Sequence, residues 1–303
     1  MSDRAAAFRE RGFVLSKNLL QEAEANDLVL ELERLSGRTR ASFARLRASG
    51  RRRLFSRSAW TLPDGVSKER RFWGLATNPS LIDAVRDVLG REACYLQHSD
   101  LHVGFSAVTW HRDCVNRSYG LGPDWDEAAE PYRLVRIGIY LQTLEESGFA
   151  LGLIPASHHV SANGGDFRAL EGRLRPWAQA RALITGQDAL KGRAEWISAE
   201  RGDAILFDPR ILHSGAPIKG PKFSVFLAFG VPGTHFARHE HYYRVMRPEL
   251  AYEGLHPEFE ARLHAAGLRP RERGVAPSAG RAFLPSRVHT WIGRAVRPGR
   301  GSK

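Results

Sequence analysis

Trp110-His111-Arg112-Asp113 and, about a hundred residues later, Gly202-Asp203-Ala204-Ile205-Leu206-Phe207-Asp208-Pro209-Arg210-Ile211-Leu212-His213-Ser214-Gly215 are the stretches that decide the fold. Two imidazoles and one carboxylate make the facial set that holds Fe(II) and leaves three positions open. His111 and Asp113 lie two apart. On a strand that spacing points both side chains to one face. His213 then arrives on a later strand, as a barrel or jelly roll requires. The open positions suit an oxo acid and O2. Spacing alone is a weak signal, because such tripeptides arise by chance and His98-Ser99-Asp100 competes. Two core histidines and a capping aspartate are the plain alternative.

The order of the flanking segments decides between these readings. Val135-Arg136-Ile137-Gly138-Ile139-Tyr140-Leu141-Gln142 reads as a buried strand. Gly148, the turn Pro155-Ala156-Ser157-His158, the strand that delivers His213, and the strand Phe223-Ser224-Val225-Phe226-Leu227-Ala228-Phe229 follow in turn. At the N-terminus, Phe8-Arg9-Glu10-Arg11-Gly12-Phe13-Val14-Leu15 precedes a helix. In this order, over roughly residues 8 to 245, the chain resembles the phytanoyl-CoA dioxygenase family of Fe(II)/2-oxoglutarate oxygenases. The resemblance implies a mainly β fold with flanking α-helices, a double-stranded β-helix (jelly roll, cupin-like). It implies His111, Asp113 and His213 as metal ligands and catalytic residues, with Fe(II) and 2-oxoglutarate as cofactors. It implies hydroxylation of an unactivated C–H bond while the oxo acid leaves as succinate and CO2. Halogenating relatives carry a small residue in place of the carboxylate, so Asp113 favours hydroxylation, or a desaturation or cyclisation variant.

The distal carboxylate of the oxo acid needs a cation, and a bidentate arginine is the usual solution. Family members place one about eleven residues after the second histidine, where this chain has Ser224. Arg136 is the first replacement, because it interrupts an apolar strand and shares a face with Gly138, Tyr140 and Gln142. Lys222, on the same face as Ser224, is the second. The plain reading of Arg136 is a strand-end arginine paired with a loop carboxylate such as Asp126. Gln97 resembles a family glutamine that contacts the oxo acid. His158 reads as part of a structural turn, Cys114 as core, and His239-Glu240-His241 as surface. Residues 116–133, rich in Gly, Pro, Asp and Trp, form a long loop leaving the metal motif. A loop of that length is usually functional or disordered, and a wall of the substrate pocket is its expected role.

Composition bounds the rest. A chain of 303 residues with 43% hydrophobic and 26% charged content is an ordinary globular protein. Two cysteines, Cys94 and Cys114, give no disulfide framework and suit a reducing compartment. No apolar run approaches the roughly 18 residues of a spanning helix, so a cytoplasmic protein is expected. The net charge of +12 is the unusual feature. Arg38, Arg40, Arg45, Arg47, Arg51, Arg52, Arg53 and Arg57 form an acid-free block, and Arg262 to Lys303 holds only Glu272 on the acidic side. Such charge fits a small anionic substrate: an acidic sugar, a glycolipid headgroup, or a phosphorylated or CoA-linked metabolite. It also allows peripheral membrane or glycolipid contact through the tail. An arginine-rich composition without functional meaning is the alternative. Two rival functions stand beside the oxygenase. One is a non-catalytic jelly-roll binding module, favoured by the serine at 224. The other is a nucleic-acid-modifying oxygenase, disfavoured because no aromatic-rich basic motif accompanies the charge.

Helices are expected at about 19–35, closed by Gly37, and from Asn78-Pro79 to Gly90. A strand is expected from Tyr95 to Val103, and a helical insertion at about 166–182. The expected organisation is an oxygenase domain over 1–260 with a basic extension over 261–303.

Overall fold

The computed structural model describes residues 3–42, 60–104, 110–160, 167–170, 193–215 and 221–269. Its elements run α1 (Asp3–Arg11), β1 (Phe13–Ser16), α2 (Glu22–Ser36), β2 (Trp60–Pro63), α3 (Pro79–Leu89) and β3 (Cys94–Gly104). There follow β4 (Leu134–Tyr140), β5 (Ala150–Leu153), β6 (Glu195–Ser198), β7 (Ala204–Phe207), β8 (His213–Gly215) and β9 (Lys222–Gly230). Helices α4 (Thr234–His241) and α5 (Pro257–Ala265) close the described chain, with shorter turns between elements. The strands make a six-stranded sheet in the order β1-β7-β4-β9-β3-β2 and a three-stranded sheet in the order β6-β5-β8. All pairings are antiparallel. The two sheets face each other as a jelly-roll sandwich rather than a closed barrel.

The central strands β4, β7 and β9 are buried on both faces, which explains their continuous apolar runs. Val135, Ile137 and Ile139 of β4 join Val225, Leu227 and Phe229 of β9 in a core shared with the helices. In α2, Ala25, Leu28, Val29 and Leu32 turn toward that core, and Gly37 ends the helix at φ 65°. In α3 the Asn78 side chain accepts from Leu81 N at 3.1 Å, and Pro79 follows where no donor is needed. Leu81, Ile82, Ala84, Val85 and Leu89 are its buried face. Each fully buried Leu or Val side chain there contributes about 1.5–3 kcal/mol.

The opposite face of the larger sheet looks inward. Tyr140, Ile205, Phe207 and Phe13 pack there against Phe149, Leu151 and Leu153. Residues opposite one another in a ladder share a face. The register pairs Arg136 with Phe207 and Ala228, Gly138 with Ile205 and Phe226, and Tyr140 with Ser224. On β3, Asp100 opposes Phe226 and His102 opposes Ser224. Polar residues therefore stand in a row down the inner face.

The expected domain boundary after 260 falls inside α5. Phe259, Leu263 and Leu268 are all fully buried, and Phe259 stacks on Trp73 at 5.3 Å. The packed unit thus continues to at least Leu268, because these side chains complete the helical side of the core. Most of the insertion at 166–182, most of the arginine block at 38–57 and the tail from 270 lie outside the described residues. Among the described residues, no helix is long and apolar enough to cross a membrane.

Candidate metal centre

His111, Asp113 and His213 converge. Each offers one ligand atom, and the three atoms lie within 4.8 Å of one another. His111 Nε2 is 3.4 Å from Asp113 Oδ1, and His213 Nε2 is 3.7 Å from Asp113 Oδ2. The backbone brings them together. His111 N donates to His213 O at 2.9 Å, and His213 N returns a bond to His111 O at 3.0 Å. Asp113 N and Cys114 N both donate to Pro209 O, at 2.8 and 3.0 Å. His213 opens β8, but His111 makes only an isolated bridge and no strand continues to Asp113. His111 and Asp113 are therefore brought together by a bridge and a turn, not by the alternation of a strand. The shared acceptor on Pro209 turns Asp113 inward.

The donor set fits a divalent metal such as Fe(II). His213 Nδ1 lies 3.0 Å from Ile211 O, so its proton belongs on that nitrogen and Nε2 is left with a free lone pair. Burial, then His111, pushes the His213 imidazole down to about 4, so it is neutral at physiological pH. Burial raises the Asp113 carboxyl, but its contacts with His111 and His213 and the Arg136 guanidinium outweigh burial and hold it well below the usual range. A neutral imidazole and an ionised carboxylate are the states a metal requires. The His111 side chain keeps 31% exposure against 5% for His213, so the set opens on one side.

Arg136 is placed differently from its expected role. Its guanidinium is committed to the Asp100 carboxylate and the His98 carbonyl, and its Nε lies 3.6 Å from Asp113 Oδ2. Burial opposes its charge, but Asp100 and Asp113 outweigh burial and keep it protonated. The fork expected to hold the oxo acid instead braces a metal-set carboxylate. Its partner is Asp100 of the rival tripeptide, not Asp126. Lys222, Ser224 and Tyr140 do lie on the inner face, all buried.

Gln97 does not reach the site. The β3–β9 register shifts between Leu96 and Asp100, and Gln97 Nε2 donates to Asp64 Oδ2 and Glu253 O, both at 2.8 Å. This bulge turns Gln97 away from the metal set, since alternation along β3 fails across it. Asp64 is 1% exposed and sits at φ 56°. Burial pushes its carboxyl up to about 6, against bonds from Ser67 and Gln97. A carboxyl raised by folding stabilises the protein fully below its unfolded value, and that contribution is lost as pH rises through about 6. Asp64→Asn keeps the left-handed backbone and the acceptor for Gln97. We therefore expect Asp64→Asn to be more stable than the parent at pH 7, by about 3 kcal/mol at most. The gap should close by about pH 4 in denaturant titrations at both pH values. An equal gap at both would reject the buried-carboxyl account.

His239 is also not the surface residue its sequence context suggests. It is 1% exposed, and its Nε2 lies 2.9 Å from His98 Nδ1. Tyr243 stacks on His98 at 3.6 Å, and its hydroxyl donates to Asp113 O at 3.3 Å. Only the third-residue periodicity of His235, Phe236 and His239 in α4 hinted at a buried face. The loop at 116–133 is tied down by polar contacts. Arg112 Nε donates to Arg210 O at 2.7 Å, and its guanidinium lies over Trp125 at 5.3 Å. Asp124 accepts from Asn116 N at 2.7 Å, and Trp125 Nε1 donates to Asn116 O at 2.7 Å. His158 Nε2 lies 3.0 Å from Arg9 O, and Ser157 Oγ accepts from Leu212 N at 2.8 Å, so that turn is structural. Cys114 is fully buried, as expected.

Among solved structures, the crystal structure of HygX from Streptomyces hygroscopicus with nickel and 2-oxoglutarate bound matches with a TM-score of 0.53 at 17% identity, over 76% of this chain and 87% of that one. HygX with iron bound matches with a TM-score of 0.51 at 17% identity, over 76% and 86%. The non-heme alpha ketoglutarate dependent epimerase SnoN from nogalamycin biosynthesis matches with a TM-score of 0.46 at 16% identity, over 75% and 81%. The HygX likeness establishes the fold. No curated protein sequence matches. The family model described as phytanoyl-CoA dioxygenase (PhyH) matches residues 8–224, which span both halves of the ligand set. The chain belongs to the phytanoyl-CoA dioxygenase family.

Proposed function

We propose that this protein is an Fe(II)- and 2-oxoglutarate-dependent dioxygenase that hydroxylates an unactivated C–H bond of a small anionic substrate. The observation that carries the reading is the convergence of His111, Asp113 and His213 within 4.8 Å, two imidazoles and one carboxylate open on one side. When bound, the iron supplies O2 activation coupled to decarboxylation of the oxo acid, giving succinate and CO2 and oxidising the second substrate. The chain's own residues prepare that chemistry. His213 presents Nε2 because Ile211 O takes its other nitrogen. Asp113 stays ionised between His111 and Arg136, and the Tyr243 hydroxyl fixes its backbone. Asp113 also fills the position that a chloride-binding site leaves open, which favours hydroxylation over halogenation.

The test is oxygen uptake with Fe(II) and 2-oxoglutarate, with succinate measured alongside. Equal amounts of succinate formed and O2 consumed, dependent on iron, are expected. Succinate no higher than in a metal-free control would sink the reading.

The anionic substrate rests on the net charge of +12 and on basic segments such as Arg38 and Arg40, both at the described end of the arginine block. If the field draws the substrate in, kcat/KM should fall as salt rises from about 50 to 500 mM, where the Debye length shrinks from over 10 Å to a few ångström. Deleting 270–303 should reproduce part of the fall if the tail takes part in capture or in peripheral contact with acidic headgroups. A kcat/KM indifferent to both changes would make the charge compositional.

A further inference from the structure

We propose that Lys222, on the inner face of β9 beside Ser224 and Tyr140, is the cation that receives the distal carboxylate of the oxo acid. This assignment rests on reading the centre as oxo-acid-dependent. It moves the anchor two residues along the strand from the position where family members carry arginine, and it removes Arg136 from that role.

The first support is an uncompensated charge. Lys222 is 4% exposed. Among the described residues no carboxylate, carbonyl or hydroxyl accepts from its ammonium. Its neighbours are the Phe149 ring at 4.9 Å and the Phe226 ring at 5.7 Å. Aromatic faces offset only part of the cost of burying an ammonium. Burial alone pushes the amine down to about 8. His102, opposite Ser224, brings no counter-charge, because an imidazole is neutral or cationic; burial and Lys222 push it down to about 3, and its Nδ1 lies 3.1 Å from Thr61 Oγ1. Arg136 presents the opposite case, because Asp100 and the His98 carbonyl already occupy its fork.

The second support is independent of charge. Ser224 Oγ and Tyr140 Oη are both buried and, among the described residues, have no hydrogen-bond partner. Tyr140 and Ser224 are register partners, so their hydroxyls share the face on which Lys222, two residues along, also stands. Buried polar atoms are nearly always satisfied, and each orphan calls for an explanation. One ammonium and two hydroxyls are all donors, and a carboxylate is acceptor-only. Gly138 keeps the space clear, since a Cβ there would lie 3.0 Å from Tyr140 Oη and 2.9 Å from the Phe226 ring.

The third support is position. The Phe226 ring centre lies 5.5 Å from Arg136 Cζ and 5.7 Å from Lys222 Nζ, and Arg136 Nε is 3.6 Å from Asp113. Lys222 and the guanidinium that touches the metal set thus both pack against one ring, that of Phe226. A diacid held by its keto end at the metal set would bring a second carboxylate for the ammonium to receive, whereas a monocarboxylic oxo acid would leave the ammonium unpaired.

The experiment is calorimetric titration of the Ni(II)-loaded full chain with 2-oxoglutarate and with 2-oxobutanoate, which has the same keto end and no distal carboxylate. The parent should prefer 2-oxoglutarate by on the order of 100-fold, the usual weight of a buried, bonded charge pair. Lys222→Met should bring the two acids within about threefold, with 2-oxobutanoate binding unchanged, and Lys222→Arg should keep most of the preference. Without ligand, Lys222→Met should melt higher than the parent, because a buried charge is gone. Tyr140→Phe with Ser224→Ala gives a second route, expected to lower the preference about tenfold while sparing 2-oxobutanoate. A full preference in Lys222→Met, or no preference in the parent, overturns the anchor and leaves the oxo-acid reading standing. Failure of the parent to bind either acid overturns both.

Discussion

His213→Ala is expected to abolish oxo-acid turnover, by about a thousandfold or more, while leaving the fold intact. The imidazole makes one backbone bond, to Ile211 O, so its loss costs the fold only about 1–2 kcal/mol. The metal set loses one of its three ligands. Iron retained after gel filtration should fall from one per chain to almost none, and His111→Ala and Asp113→Ala should behave alike. A variant that unfolds would say nothing about the metal, so near-UV circular dichroism accompanies each assay. Retained iron and turnover in a folded His213→Ala protein would contradict the ligand set.

Arg136→Met should produce the largest loss of stability, about 3–5 kcal/mol in urea titrations of the metal-free protein. The guanidinium faces Asp100 and Asp113 at once and is 3% exposed. Removing it leaves two largely buried carboxylates, each 17% exposed, without their shared cation. The cost is therefore that of an uncompensated buried charge rather than of one lost ion pair. Asp100→Asn alone should also destabilise, but adding it to Arg136→Met should recover part of the loss, because the partners act on each other. Additive effects, or a loss below about 1 kcal/mol, would mean that the brace carries little. An arginine whose role was only to bind the oxo acid would give the opposite pattern, with unchanged stability and a raised KM.

The sequence made much of this legible. Gly37 and the Asn78-Pro79 cap mark helix ends because each backbone position has few solutions. The apolar runs of β4, β7 and β9 announce strands buried on both faces. His111, Asp113 and His213 were legible through residue type and segment order. Three features were not. The β3 bulge turns Gln97 toward Asp64, and no local residue marks it. The partner of Arg136 is thirty-six residues away on a strand that pairs with β9, so only the sheet order brings Asp100 within reach. His239 lies on a helix whose buried face depends on what it packs against, here His98 and Tyr243. Each miss concerns a polar side chain whose partner is set by tertiary register rather than by its neighbours in sequence.

The most direct measurement is an anaerobic titration of the full chain with Fe(II) and then 2-oxoglutarate, followed by visible absorption. One iron per chain should bind, and the oxo acid should then produce a weak visible charge-transfer band that saturates at one equivalent and is absent in His213→Ala. A parent protein that binds no stoichiometric iron, or an iron-loaded one that gives no band with 2-oxoglutarate, would contradict the oxygenase account.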